Sequence, residues 1–166
     1  MNTEITDNQN IKDLSFLLNA KSVRTMQISD ILNTIPHREP FLFVNKVEVM
    51  KEHQHGVGIK NFSPDEYFFK GHFPGKPVVP GAIILEAMAQ TCAALIMSLP
   101  QYKGKIAFFM GMNAVKFRKP VFPGQTVRLA VNFLRSGKKV GKAYCQAYID
   151  SGLCAEAELT FAVSDN

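Results

Sequence analysis

The run Ala82–Leu99 (AIILEAMAQTCAALIMSL) limits the fold more than any other part of the chain. Ala, Leu, Met, Glu and Gln favour helix, and no glycine or proline interrupts it. Pro80-Gly81 introduces the run and Pro100 stops it. It is apolar nearly all round, so it is predicted to lie wholly inside a core. It approaches membrane-spanning length, but Glu86 and Gln90, one turn apart on one face, argue for a buried helix and against a membrane span. A carboxylate there would lose its hydration, which favours the neutral acid.

The rest of the chain reads as cover for that helix. Ser29 is a predicted N-cap for a short helix over Asp30–Asn33 that ends before Pro36. Phe41–Met50 is rich in aromatic and β-branched residues and reads as a strand, with His53–Asn61 as its hairpin partner. Beyond Pro100 come four strand-like segments. Lys105–Met112 and Ala114–Pro120 form one long strand with an irregularity near Gly111. Thr126–Leu134 places Val127, Leu129, Val131 and Phe133 on one face, and Lys138–Asp150 alternates less cleanly. In Cys154–Val163, Ala155, Ala157, Leu159, Phe161 and Val163 oppose Glu156, Glu158 and Thr160. Strands gathered on both sides of one helix predict an α+β fold, with an antiparallel sheet curled around the helix. Any face of the helix left bare would invite a second copy of the chain. Residues 28–166 are read as one domain behind an N-terminal extension, 1–27. Met1–Gln9 of that extension is polar and predicted to be disordered, and Ile11–Leu18 is a short amphipathic turn.

Chemistry concentrates around the start of the buried helix. His72 lies fourteen residues before Glu86, in the proline- and glycine-rich stretch Gly71–Gly81. The first N–H groups of a helix lack internal partners and carry partial positive charge. The N–H of Gly81 can therefore polarise a thioester carbonyl, with no Cβ to block its approach. His72 can remove the acidified α-proton, and a protonated Glu86 can give a proton to a departing β-hydroxyl. Acid, base and electrophile together describe a β-elimination or its reverse. Each element has a plainer reading, in which His72 caps a turn and the glycines only shape a loop. His37 is read as a turn residue. His53 and His55 fall on one strand face without a third metal ligand and are read as a solvated strand end, so no metal is expected.

The net charge of +5 would suit nucleic acid, an anionic membrane or an acidic protein. No nucleic-acid recognition motif accompanies it. Lys116, Arg118, Lys119, Arg135, Lys138, Lys139 and Lys142 concentrate positive charge in the C-terminal half, as a solvated surface or as the footprint of an acidic carrier. The three cysteines, Cys92, Cys145 and Cys154, lack a CxxC or zinc spacing, and their odd number fits a reducing, cytoplasmic setting. Cys92 is read as a small buried hydrophobe and not as a nucleophile.

Three stretches carry a specific resemblance: IPHREPFLFVNKV, GHFPGKPVVPGAIILEAMAQ and FFMGMNAVKFRKPVFPGQTV. They are similar to the FabZ-type β-hydroxyacyl-acyl carrier protein dehydratases of bacterial type II fatty acid synthesis, over roughly Ile28 to Val163. The resemblance implies the hot-dog fold, a long central helix wrapped in a curved antiparallel sheet. It implies a homodimer with active sites between subunits, usually assembled as a trimer of dimers. By motif, His72 matches the catalytic histidine, Glu86 the catalytic carboxylate and Gly81 the backbone donor, with His72 facing Glu86 of the second subunit. Phe73, Gln90, Phe108 and Phe109 are the implied substrate-contacting side chains, the last two where relatives carry a proposed tyrosine gate. Glutamate at position 86 resembles the general dehydratase and not the relative that also isomerises the double bond. Asn45 stands where the family pattern commonly has aspartate.

The expected activity is conversion of (3R)-3-hydroxyacyl thioesters to trans-2-enoyl thioesters, without metal or redox cofactor. The substrate would ride on the phosphopantetheine of acyl carrier protein, an acidic partner docking on Lys116, Arg118, Lys119, Arg135, Lys138 and Lys139. The rivals are a hot-dog thioesterase, which needs an activated water, and a non-catalytic acyl-thioester-binding regulator, which needs neither acid nor base.

Overall fold

The computed structural model describes residues 12–52, 54–136 and 139–165. The predicted disordered stretch Met1–Gln9, together with His53 and Lys138, lies outside them. Strands β1 (Arg24–Met26), β2 (Lys46–Lys51), β3 (His55–Asn61), β4 (Lys105–Phe117), β5 (Thr126–Ser136), β6 (Val140–Ile149) and β7 (Gly152–Asp165) form one sheet in the order β1-β2-β3-β5-β6-β7-β4. Every pairing is antiparallel. Helix α1 (Ile28–Thr34) is short, and α2 (Gly81–Met97) is the long central helix. It touches β2 through β7, so the sheet does curl around it. Among the described residues no helix is long and apolar enough to cross a membrane.

Close approach of helix and sheet depends on small residues. A Cβ on Gly56 or Gly58 of β3 would collide with Leu95 or Thr91 of α2. Met88, Ala87 and Ala94 are fully buried between the layers, and Cys92 meets Cys145 of β6 at an Sγ–Sγ distance of 3.5 Å. The Cys92 contact and burial push the Cys145 thiol well up from its ordinary value, which makes it inert.

The helix departs from its sequence reading in one respect. Ala82, Glu86, Ala89 and Ala93 form a stripe at helical spacing that the single chain leaves wholly or partly uncovered. The helix is therefore not wholly inside the core. Beside this stripe runs β4, an edge strand whose Phe108, Met110 and Phe117 are more than half exposed.

Several boundaries move for identifiable reasons. Helix α1 begins after Gln27, not Ser29, because the Asp30 carboxylate accepts the Gln27 N–H at 2.8 Å. Strand β2 begins at Lys46, not Phe41. Phe41 and Phe43 instead give their backbone groups to the side chain of Gln90. Asn45 closes that segment by accepting the Asn61 N–H at 2.7 Å, a role that the family's aspartate would fill equally well. The bend in β4 occurs where expected, between Phe109 and Gly111, and a second follows between Asn113 and Lys116.

The extension is more than a leader. Ser15–Asn19 forms a 3-10 turn across the outer face of the sheet, and Leu14 and Leu17, three residues apart, are both fully buried. They pack on Met50, Val57, Ala130 and Tyr148. Leu14 N–H donates to Gln146 Oε1 at 2.7 Å, and Arg128 donates to Leu18 O at 2.6 Å. This strap is why Ala130 and Asn132 are buried as well as the inward Val127, Leu129, Val131 and Phe133. It also buries His55, whose ring meets Phe16 edge-on at 6.1 Å, correcting its reading as a solvated strand end. Leu17→Ala is expected to cost about 2–3 kcal/mol, measured as a lower urea midpoint. An unchanged midpoint would mean that the strap adds nothing to stability.

Candidate active site

His72 is held by its own loop. Its N–H donates to Phe68 O at 3.0 Å, its carbonyl accepts Val78 N–H at 2.9 Å, and Nδ1 lies 2.9 Å from Val78 O. A carbonyl only accepts, so Nδ1 carries the proton and the neutral ring keeps its lone pair on Nε2. Phe73 stacks on the imidazole at 4.0 Å, with the planes 27° apart, and fixes its orientation while remaining half exposed itself.

The loop then runs to Val79, whose N–H is bound by Val121 O at 2.8 Å, and Pro80 caps α2. This anchoring puts Gly81 and His72 on the wall of one cavity of about 490 Å³, with Arg118 and Lys119 at the same wall. A Cβ on Gly81 would sit 2.7 Å from the exposed Phe117 ring, so a larger residue at the helix start requires that ring to shift.

Glu86 lines a different cavity, of about 200 Å³, with His37, Gln90, Phe108, Phe109 and Phe161 among its walls. Its side chain is 20% exposed. Gln90 is fully buried and uses both ends of its amide. Its Oε1 accepts Phe43 N–H at 2.7 Å, while its Nε2 donates to Phe41 O at 3.0 Å and to Glu86 Oε1 at 2.9 Å. Gln90 thus holds the carboxyl, a contact beyond the substrate-contacting place that the resemblance implies for it. The same Oε1 stands 3.5 Å from Nε2 of His37, correcting the reading of that histidine as a turn residue. Nothing in its local sequence points to Glu86, forty-nine residues away.

One chain therefore brings His72 to Gly81, and Glu86 to Gln90, Phe108 and Phe109, in two separate cavities. The family model that matches is described as the FabA-like domain, over residues 35–158. A curated relative from Desulforamulus reducens is 46% identical over 83% of this chain and 97% of its own length. This chain belongs to the FabA-like family. That relative is named 3-hydroxyacyl-[acyl-carrier-protein] dehydratase FabZ, as are relatives from Pelotomaculum thermopropionicum (46% identical, 83% of this chain and 99% of its own) and Moorella thermoacetica (44%, 84% and 98%). Solved structures agree on the α+β hot-dog architecture. The dehydratase heterocomplex ApeI:P from Xenorhabdus doucetiae superposes with a TM-score of 0.68 at 15% identity, over 82% of this chain and 91% of that one. A thioesterase from Haemophilus influenzae gives 0.51 at 16%, over 72% and 78%. At such identities they speak for the fold of this FabA-like chain alone.

The basic side chains divide. Arg118 binds Glu156 at 2.7 Å and Lys116 approaches the same carboxylate at 3.7 Å. Burial works to raise Glu156, but its bonds from Arg118, Gln146 and Tyr144 outweigh that and hold the carboxyl below its ordinary value. Lys119 donates to Ser151 O, and Lys142 pairs with Glu158. Arg135 and Lys139 are exposed at the far end of β5 and the start of β6, away from the cavity that holds His72. Among the described residues no three His, Cys, Asp or Glu side chains gather as a metal site.

Proposed function

We propose that this chain dehydrates 3-hydroxyacyl thioesters carried on acyl carrier protein to trans-2-enoyl thioesters in fatty acid synthesis. The observation that carries the reading is that His72, its Nδ1 engaged by Val78 O and its Nε2 therefore left to act as base, lines the cavity that begins at Gly81. The family's curated dehydratases support it. With the thioester carbonyl on the Gly81 N–H, Nε2 takes the α-proton and the C–H pair becomes the carbon–carbon double bond. The β-carbon–oxygen bond breaks as protonated Glu86 supplies the proton with which the hydroxyl leaves as water. The imidazolium and carboxylate that remain hold as many protons as the starting pair, and passage of one proton from His72 to Glu86 through solvent resets the site. The step moves only protons and a hydroxyl, so we expect no metal or redox cofactor.

Base and acid line separate cavities in one chain, which supports a homodimer in which His72 of one copy meets Glu86 of the other. The half-bare stripe of α2 and the apolar edge strand β4 supply a self-complementary surface for it. A trimer of such dimers is the expected larger assembly. Three buried cysteines, all free, suit a cytoplasmic location.

Purified protein with a crotonyl thioester tests the reading. The expected result is loss of the enoyl absorbance and a product heavier by one water. Release of free thiol instead would indicate a thioesterase, and binding without turnover a regulator. Among the basic residues, Lys119 and Arg118 border the cavity of His72 and are the best placed for the carrier. Lys119→Glu should lower kcat/KM about 10-fold for carrier-linked substrate, with little change for a short pantetheine thioester. Equal losses on both would remove the docking role.

A further inference from the structure

We infer that His37 is a positioning residue that, with Gln90, reserves one oxygen of Glu86 as acceptor and leaves the other to deliver the proton. This rests on the dehydratase reading of the Glu86 cavity. His37 lies just beyond α1, where Arg38 clamps the turn: its guanidinium donates to Ile35 O at 2.9 Å, His37 O at 2.7 Å and Leu32 O at 2.9 Å. These bonds tie the imidazole to the end of the helix and aim Nε2 at Glu86 Oε1, 3.5 Å away. A shortening of that separation by ~0.5 Å with substrate present would bring the pair to hydrogen-bond distance.

The other ring nitrogen decides the tautomer. Nδ1 is buried and has no hydrogen-bond partner among the described residues. A buried N–H without an acceptor is rarer and more costly than a bare lone pair, so the tautomer that fits carries its proton on Nε2.

Gln90 then donates to Oε1 at 2.9 Å, and the His37 Nε2–H stands 3.5 Å from the same oxygen. Occupied on that side, Oε1 acts as acceptor, and the acid's proton resides on Oε2. Once the proton has left, both donors stabilise the carboxylate, which makes Glu86 the stronger acid in the step where acidity counts. The other titratable side chain at this cavity is Cys92, whose sulfur faces Cys145 in the core. The walls from β4 and β7 are apolar: Ala107, Phe108, Phe109, Leu159 and Phe161. Among the described residues of one chain, His37 is thus the ionisable side chain beside Glu86, and in the proposed dimer His72 of the second copy joins it.

The test compares wild type, His37→Phe and His37→Gln, each first checked for unchanged assembly by size-exclusion chromatography. With glutamate labelled at its carboxyl carbon, and the Glu86 resonance identified from its loss in Glu86→Gln, titration reads the acid directly. In His37→Phe, Glu86 should titrate about one pH unit higher, because the ionised form has lost a donor. The high-pH limb of the kcat profile should move up with it, kcat should fall about 10-fold, and KM should barely change. His37→Gln, which restores an N–H donor, should recover most of each effect. Unmoved titration and limbs in His37→Phe, or a glutamine no better than phenylalanine, would overturn the inference. Absence of dehydration by wild type, with the titration shift present, would reject the dehydratase reading and leave the pairing standing.

Discussion

His72→Ala is expected to lower kcat by roughly 10²–10⁴-fold, the range that a positioned general base contributes. That equals about 3–5 kcal/mol of transition-state stabilisation. The expectation rests on geometry. The bond from Nδ1 to Val78 O fixes both tautomer and orientation, and among the described residues the cavity wall holds no other titratable side chain but Lys119, beside the permanently charged Arg118. Unfolding should change little, because the imidazole is only partly buried and its loop is held by backbone bonds to Phe68 and Val78 that alanine keeps. Steady-state turnover with a 3-hydroxyacyl thioester, beside a urea melt of the same sample, separates the two effects. Retention of most activity would remove His72 from the chemistry.

Glu86→Gln is expected to have a loss of similar size for a different reason. Glutamine has the shape of a protonated glutamic acid, and its amide oxygen can still accept the Gln90 N–H, so packing and assembly should persist. It cannot release a proton to a leaving hydroxyl. A fall of about 10²–10⁴-fold in kcat with near-normal KM is the signature of a lost general acid. Substantial activity in Glu86→Gln would mean that the hydroxyl leaves by another route.

Much of the fold was legible because its signals are periodic. The alternation in β5 and β7 and the uninterrupted apolar run of α2 identify the sheet and its helix. What escaped depends on contacts that are distant in sequence. Strand β1 has three residues, too few for a period, and exists because β2 receives it. Leu14 and Leu17 give only two apolar points at a spacing of three, and their burial needs the outer face of a sheet assembled over a hundred residues later. Phe41 and Phe43 look like strand residues, but the amide of Gln90 outcompetes a ladder for their backbone groups.

The site divides in the same way. His72, Glu86 and Gly81 stand out by residue type and by the character of the run around them. That His72 and Glu86 line different cavities is a property of the wrapped sheet and cannot be inferred from a separation of fourteen positions. His37 escaped because its partner is a tertiary one, and its own surroundings, Pro36 and Arg38, read only as a turn.

The central claim is that one working site takes His72 from one copy and Glu86 from another, and co-expression of His72→Ala with Glu86→Ala tests it most directly. Each variant alone should be nearly inactive. In a mixed dimer one of the two shared sites is intact, so random pairing should restore roughly a quarter of wild-type turnover. Co-purified mixed dimers that remain as inactive as either parent would contradict the account, because a site built within a single chain is broken in both copies.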